Sequence, residues 1–339
     1  MISEGPSIWS VSDGRAGNAA QVRAIVAALH APDRWGKLAH INGAAHHAEP
    51  ITLTPRAPWT WLPGTSWPFA KAALPEDQKA LLTPPWPTLW IAAGRRSAPY
   101  TRYVKQQSQG KTLAIQMLDP KSDLSAFDLI ITPEHDGLEG PNVISTIGSP
   151  SHFSADAIAQ ARADFSQLAG QSSKNVIIIL GGNSKTHRFT DSVADRLIAH
   201  FRALTAQGWY LRITTSRRTP ESVAQKMRAL AGELGGDFWA TPKDGPNPYL
   251  GWLLHAQAAI VTEDSANMLC DAAWHGLPVH MAKLEGRAPK FDRLHQSLID
   301  RGCARWFEGE LESWSYEPLR EADRVADIIV EKLLERFPA

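Results

Sequence analysis

Short apolar runs alternate with stretches of helical period along this chain, the pattern of parallel strands covered by helices. Ile8–Ser12 reads as a strand, followed by a helix from about Asn18 to Leu29. Leu89–Ala93, Leu113–Met117, Leu129–Thr132 and Val143–Thr146 read as further strands of the first half. From Pro50 to Pro87 the pattern breaks, with Trp59, Trp61, Trp67 and Trp86 set among prolines. A packed insertion with a short helix near Glu76–Leu82 is expected there, and an exposed flap facing an acceptor or a membrane is the sharper alternative. Helical period returns over Ser154–Leu168, and the small polar run Ala169–Lys174 predicts a domain boundary.

The second half repeats the layout more clearly. Val176–Leu180 predicts a buried strand, Thr190–Ala206 a helix and Tyr210–Thr214 a strand. Pro220–Leu234 predicts the next helix, with Thr219 as N-cap and Pro220 in its first position. Phe238–Ala240, Ala258–Val261 and Pro278–Met281 predict three more strands, and Ala266–His275 and Pro289–Arg301 two more helices. A last helix is expected over Pro318–Phe337. The fold class is α/β, two similar parallel-sheet domains in series.

Composition narrows the function. At 339 residues the chain exceeds the usual single domain, and 43% hydrophobic residues can bury a sizeable core. Lys+Arg and Asp+Glu number 35 each, a neutrality that argues against a nucleic-acid binder but leaves room for one local basic pocket. Cys270 and Cys303 form no CxxC pair, which excludes a disulfide framework and fits a reducing compartment. The opening MISEGPSIWSVSDG lacks the pattern of a signal peptide, and Val176–Leu180 is too short to span a bilayer. A soluble cytoplasmic protein is expected, with peripheral contact at the inner membrane left open. No metal site is expected: His46-His47 reads as solvent-facing, Glu134-His135-Asp136 as a plain turn, and Asp-x-Asp is absent.

Three strand ends in the second half carry similar chemistry. Leu180 runs into Gly181, Gly182, Asn183, Ser184 and Lys185, where free N–H groups would approach an anion such as phosphate. An ordinary polar turn explains this stretch equally well. The next strand ends in Thr214-Thr215-Ser216-Arg217-Arg218, whose hydroxyls and guanidinium groups suit a diphosphate, Ser216 and Arg217 most of all. The third passes into Thr262-Glu263-Asp264-Ser265, where Ser265 is read as the cap of a helix bearing Asn267, Met268 and Asp271. Asn267 and Asp271 share a helix face, and a carboxylate there can accept both hydroxyls of a ribose. In an open α/β sheet such strand ends line one crevice. In the first half, Asp13-Gly14-Arg15-Ala16-Gly17-Asn18 follows the first strand, and Asp13 is the candidate general base. A tight turn into the helix is the plainer reading of it. Gly94-Arg95-Arg96-Ser97 closes another strand in similar style.

The segments WSVSDGRAGNAAQ, IAAGRRSAPY, LGGNSKTHRF, TTSRRTP, TEDSANM and GRAPKFDRLHQSL span nearly the whole chain. In them the chain resembles bacterial relatives of the plant mitochondrial fission (elongated-mitochondria) protein family. More broadly, the second half is similar to the donor domain of glycosyltransferases of the B fold. There an acidic residue in an "EAxxxGxPV"-like pattern holds the ribose, and here Asp271-Ala272-Ala273-Trp274-His275-Gly276-Leu277-Pro278-Val279 has Asp, one methylene shorter. The resemblance implies two Rossmann-like domains facing a central cleft, 1–168 on the acceptor side and 173–316 holding the nucleotide sugar. The segment 317–339 would return as a helix to the first domain. It places Thr241–Tyr249 near the base, and Lys290 and Phe291 near the cleft beside Gly14, Gly17, Asn18, Gly94 and Arg95. The implied activity is metal-independent sugar transfer from a nucleoside-diphosphate sugar, of UDP type, to an acceptor the sequence does not name. That donor would be a substrate, not a tightly bound cofactor. A sugar-nucleotide epimerase or hydrolase, and a non-catalytic adaptor keeping the fold, are the alternatives.

Overall fold

The computed structural model describes residues 5–41, 43, 47–62, 67, 69–168 and 174–339. Two compact units result: residues 1–153 with 320–339, and residues 154–319.

The first unit runs β1 (Ile8–Ser12), α1 (Ala16–Leu29), α2 (Pro32–Trp35), β2 (His47–Thr52), α3 (Glu76–Lys79), β3 (Leu89–Ala93), α4 (Ala98–Ser108), β4 (Leu113–Met117), β5 (Leu129–Pro133) and β6 (Val143–Thr146). Its six strands are all parallel, in the order β2-β1-β3-β4-β5-β6. β1, β3, β4 and β5 are buried throughout and so read as unbroken apolar runs. β2 escapes the sequence pattern because HAEPIT is polar and contains a proline, which an edge strand tolerates.

The second unit runs α5 (Ala155–Asp164), β7 (Asn175–Leu180), β8 (His187–Arg188), α6 (Asp191–Ala206), β9 (Tyr210–Thr215), α7 (Glu221–Leu234), β10 (Asp237–Trp239), α8 (Tyr249–His255), β11 (Ala258–Thr262), α9 (Ala266–Trp274), β12 (Val279–Ala282), β13 (Glu285–Gly286), α10 (Pro289–Asp300) and β14 (Ala304–Trp306). The main sheet is again parallel, ordered β10-β9-β7-β11-β12-β14. Its direction of winding reverses between β7 and β11, which puts the ligand-binding crevice of a doubly wound sheet outside those two carboxyl ends. β8 and β13 form a small antiparallel ribbon, joining His187 to Gly286 and Arg188 to Glu285. Val176, Ile178, Leu180, Leu211 and Ile213 pack under α6 and α7 through Leu197, Phe201, Val223, Met227 and others.

Two expectations change, and one lies outside the described residues. The helix read over Ser154–Leu168 is α5, capped by the Ser154 hydroxyl on the Ala157 amide at 3.2 Å, and it opens the second unit. It packs against α8, where Gly251 leaves room for the Phe165 ring. The polar run expected at the boundary lies outside the described residues at 169–173, as does His46. Thr219 does not cap α7, whose N-cap is Pro220, because its hydroxyl is used elsewhere.

The segment around the tryptophans is mainly packed. Leu53, Trp67, Leu74 and Leu82 cover the second face of the first sheet against Trp9 and Trp90. Trp61 and Phe69 nevertheless stand about four-fifths exposed (80% and 81%). No helix among the described residues is long and apolar enough to cross a membrane.

The chain ends in α11 (Glu321–Arg336), which packs along α1. Ala322, Val325, Ala326, Ile329, Val330 and Leu333 are buried at the three- and four-residue spacing of one helix face. Ion pairs fix its register. Arg34 reaches Asp327 at 2.7 Å and Asp323 at 2.9 Å, and Arg336 takes both oxygens of Asp128 at 3.0 and 3.1 Å. Burial works against the Asp128 charge, but Arg336 and the Ala114 amide outweigh it and hold its pKa below the ordinary carboxylate value. Ile329→Ala should therefore destabilise the first unit by about 2–5 kcal/mol. Urea unfolding followed by tryptophan fluorescence checks this, and an unchanged midpoint would contradict the packing.

Candidate nucleotide site

Asp264 joins the three strand ends of the second unit. Its carboxylate is fully buried, accepts the Gly182 amide at 3.0 Å and the Thr262 hydroxyl at 2.7 Å, and pairs with Arg218 at 2.7 Å. Thr262 in turn accepts the Gly181 amide at 2.7 Å. The Thr219 hydroxyl faces the carbonyls of Leu180 and Gly181 and accepts the Ser216 amide at 3.0 Å. The ends of β7, β9 and β11 are thus laced together around one carboxylate.

This arrangement revises the expectation for Gly181 to Lys185. The glycines are required by the protein itself: a Cβ on Gly181 would overlap Asp264, and one on Gly182 would overlap the Arg218 backbone. Their N–H groups are already used. The Asn183 amide donates to the Arg218 carbonyl at 3.0 Å, and that of Ser184 to His187 at 3.0 Å. The Asn183 side chain accepts the Phe189 amide at 2.9 Å, and the Ser184 hydroxyl accepts the amides of Thr186 and His187. Lys185 is exposed at the tip. The loop is a closed turn, not an open cradle for phosphate.

The open donors lie at α9. Ser265 occupies its N-cap position without capping it, contrary to the sequence expectation. The amides of Ala266, Asn267 and Met268 have no acceptor among the described residues. Such an end carries a partial positive charge and aligned N–H groups. Arg218, about two-fifths exposed, stands beside it through its pair with Asp264. Arg217, the arginine expected to face a diphosphate, is exposed; which of the two adjacent arginines pairs with Asp264 depends on the tight 216–219 turn. Thr215 is the last residue of β9, in register with Leu180. Asp271 lies one turn into α9 and accepts the Tyr249 hydroxyl at 3.0 Å. The resemblance names Tyr249 only as the end of the loop near the base; its bond to Asp271 is not readable from the sequence, since α8 is short and its period weak.

Glu263 turns to the other side of the strand end. It accepts the Leu284 amide at 2.7 Å, and its own carbonyl lies 2.8 Å from His295 Nε2 on α10. His187 stands edge-on to Phe291, with ring centroids 5.1 Å apart. Burial raises the pKa of Glu263 and lowers those of His295 and His187. Through these contacts and the β8–β13 ribbon, LGGNSKTHRF and GRAPKFDRLHQSL meet at one end of the sheet. Lys290 belongs to the first turn of α10 in this unit and is exposed.

In the first unit, the switch point between β1 and β3 gathers Asp13, Asn18 and Gly94. Asp13 accepts the Asn18 amide group at 2.8 Å and the Arg15 N–H at 3.3 Å. Gly94, at φ +100°, leaves space that a Cβ would take from the Asp13 carboxylate. Gln116 and Ser97 hold the Gly94 carbonyl from below at 3.1 and 2.7 Å. Gly14 is exposed, Gly17 lies in the first turn of α1, and Arg95 is exposed. Among the described residues no three His, Cys, Asp or Glu side chains group to hold a metal ion.

A model of the mitochondrial fission ELM1 family matches residues 16–333. The chain belongs to that family. It is 27% identical over 281 residues to the Arabidopsis thaliana mitochondrial fission protein ELM1, covering 74% of this chain and 65% of that protein. It therefore spans somewhat less than two-thirds of the plant relative. It is also similar to the uncharacterized protein RP120 of Rickettsia prowazekii, 28% identical over 285 residues, covering 72% and 79%. In fold it is similar to UDP-GlcNAc 2-epimerase from Methanocaldococcus jannaschii in complex with UDP-GlcNAc and UDP, at TM-score 0.50 and 11% identity, covering 96% and 99%. The fold class is α/β of the glycosyltransferase-B type, with two parallel six-stranded sheets.

Two outcomes follow for this ELM1-family site. Asp264→Ala should cost about 1–3 kcal/mol, the scale for leaving buried donors such as the Gly182 amide and the Thr262 hydroxyl unpaired, measured by urea unfolding; an unchanged midpoint would contradict the clamp. His187 and His295 have folded pKa values depressed below the ordinary 6.5, so the unfolded chain binds more protons just below that pH. Their contribution is complete above 6.5 and is lost as pH falls through the depressed values. His295→Gln should flatten the pH dependence of unfolding free energy between pH 7 and 5, and an unaltered slope would contradict it.

Proposed function

We propose that the second unit binds the diphosphate of a nucleotide sugar and that the protein transfers the sugar to an acceptor without a protein-held metal. The observation that carries this reading is the uncapped start of α9 at the β7/β11 switch point, with Arg218 beside it and Asp271 one turn on. The diphosphate would meet the amides of Ala266, Asn267 and Met268 and the Arg218 guanidinium, and Asp271 would accept the ribose hydroxyls. During transfer the bond from the anomeric carbon to the diphosphate breaks while the acceptor oxygen bonds to that carbon. Negative charge then grows on the departing diphosphate, where these donors are fixed before reaction. Asp13 is the carboxylate we assign to the acceptor's proton. The uridine choice follows the family resemblance, and the Methanocaldococcus jannaschii epimerase, whose structure holds UDP-GlcNAc and UDP in a fold of this class, supports it.

Isothermal titration at low salt with UDP, GDP, ADP and CMP tests the binding half. UDP is expected to bind, and Arg218→Lys, which keeps a cation for Asp264 but loses the fork, to weaken it about tenfold. Absence of binding by all four would overturn the proposal. Incubation with UDP-GlcNAc alone tests the reaction class: an intact donor agrees with transfer, whereas an epimer or free sugar would replace it with rearrangement or hydrolysis.

A further inference from the structure

We infer that Tyr249 is a positioning residue that aims the Asp271 carboxylate and so makes the site select a ribose over a deoxyribose; this rests on the nucleotide reading above. Asp271 is on α9 and Tyr249 is the first residue of α8, and the two meet through a 3.0 Å hydrogen bond from the phenol to Oδ2. The backbone that leads into α8 is itself held by side chains. The Asn247 side chain accepts the Tyr249 amide at 3.0 Å. Asp244 accepts the amides of Ala240 and Thr241 at 2.9 and 3.0 Å and pairs with Arg228 at 2.7 Å, while the Trp239 indole donates to the Gly245 carbonyl at 3.1 Å. An aspartate side chain is short, and a neighbour that donates to one oxygen decides where the other points.

The hydrogen bond also fixes the chemistry of the carboxylate. Burial and the nearby Asp271 charge keep the phenol protonated, so it is a donor and Asp271 an acceptor. A carboxylate has about four lone-pair positions, so the bond from Tyr249 takes up only part of its capacity to accept a ribose diol. A sugar lacking a hydroxyl forfeits its bond to the oriented carboxylate, a loss larger than at a carboxylate the phenol does not aim. If Tyr249 only fastened α8 to α9, its removal would affect every nucleotide alike.

The experiment is titration of wild type, Tyr249→Phe and Asp271→Asn with UDP and 2′-deoxy-UDP, alongside thermal unfolding of each protein. Wild type is expected to prefer UDP by about tenfold, the scale of one hydrogen bond to a charged group. Tyr249→Phe should weaken UDP several-fold, leave 2′-deoxy-UDP within about twofold, and bring the ratio toward one, with the unfolding midpoint little changed. Asp271→Asn should remove the preference as well. A preference that survives in Tyr249→Phe, or equal weakening of both nucleotides, overturns this inference while leaving the nucleotide site standing. Failure of wild type to bind either compound removes the site and this inference together.

Discussion

One buried carboxylate governs the second unit. Asp264 has no exposure to water and is stabilised by an amide, a hydroxyl and a guanidinium drawn from three different strand ends. Burying such a charge is tolerated only when hydrogen bonds and an opposite charge replace its water. Meeting that demand closes the Gly181–Gly182 turn, sets the direction of Arg218 and fixes where α9 begins. The donors at the start of α9 lie open because Ser265, next to Asp264, does not cap them.

The strands of both sheets were legible in the sequence because buried parallel strands leave unbroken apolar runs such as Val176–Leu180. Two of the four edge strands were not, since β2 carries a proline and β14 is three residues long, whereas β6 and β10 were read. The candidate site was legible to the level of the strand end and no further. Gly-Gly after a strand looks the same whether a phosphate or the protein's own aspartate fills the space above it. Ser265 precedes α9 in the manner of a cap, yet its hydroxyl does not turn to the helix. Arg217 and Arg218 are equivalent as letters, and only the turn made by Ser216 and Thr219 separates them. Tyr249 meets Asp271 from 22 positions away, a contact that periodicity does not encode.

The two switch points differ in character. In the second unit, aligned amides and a half-exposed arginine stand at the strand ends. In the first, Asp13 is folded into its own turn by Asn18 and Arg15, with Gly94 and Gln116 buttressing it. Unpaired backbone donors therefore stand at the second unit's switch point and a single held carboxylate at the first, although both are built on parallel sheets of the same width.

The first unit is made from both ends of the chain, with α11 supplying the lining of α1. On a ribosome the segment 154–319 is continuous and can close while it emerges. The earlier-made sheet waits, its α1 flank bare, until the final sixteen-residue helix arrives. Order of synthesis and order of completion are thus reversed, and a chain cut short near its end would expose apolar surface near its beginning.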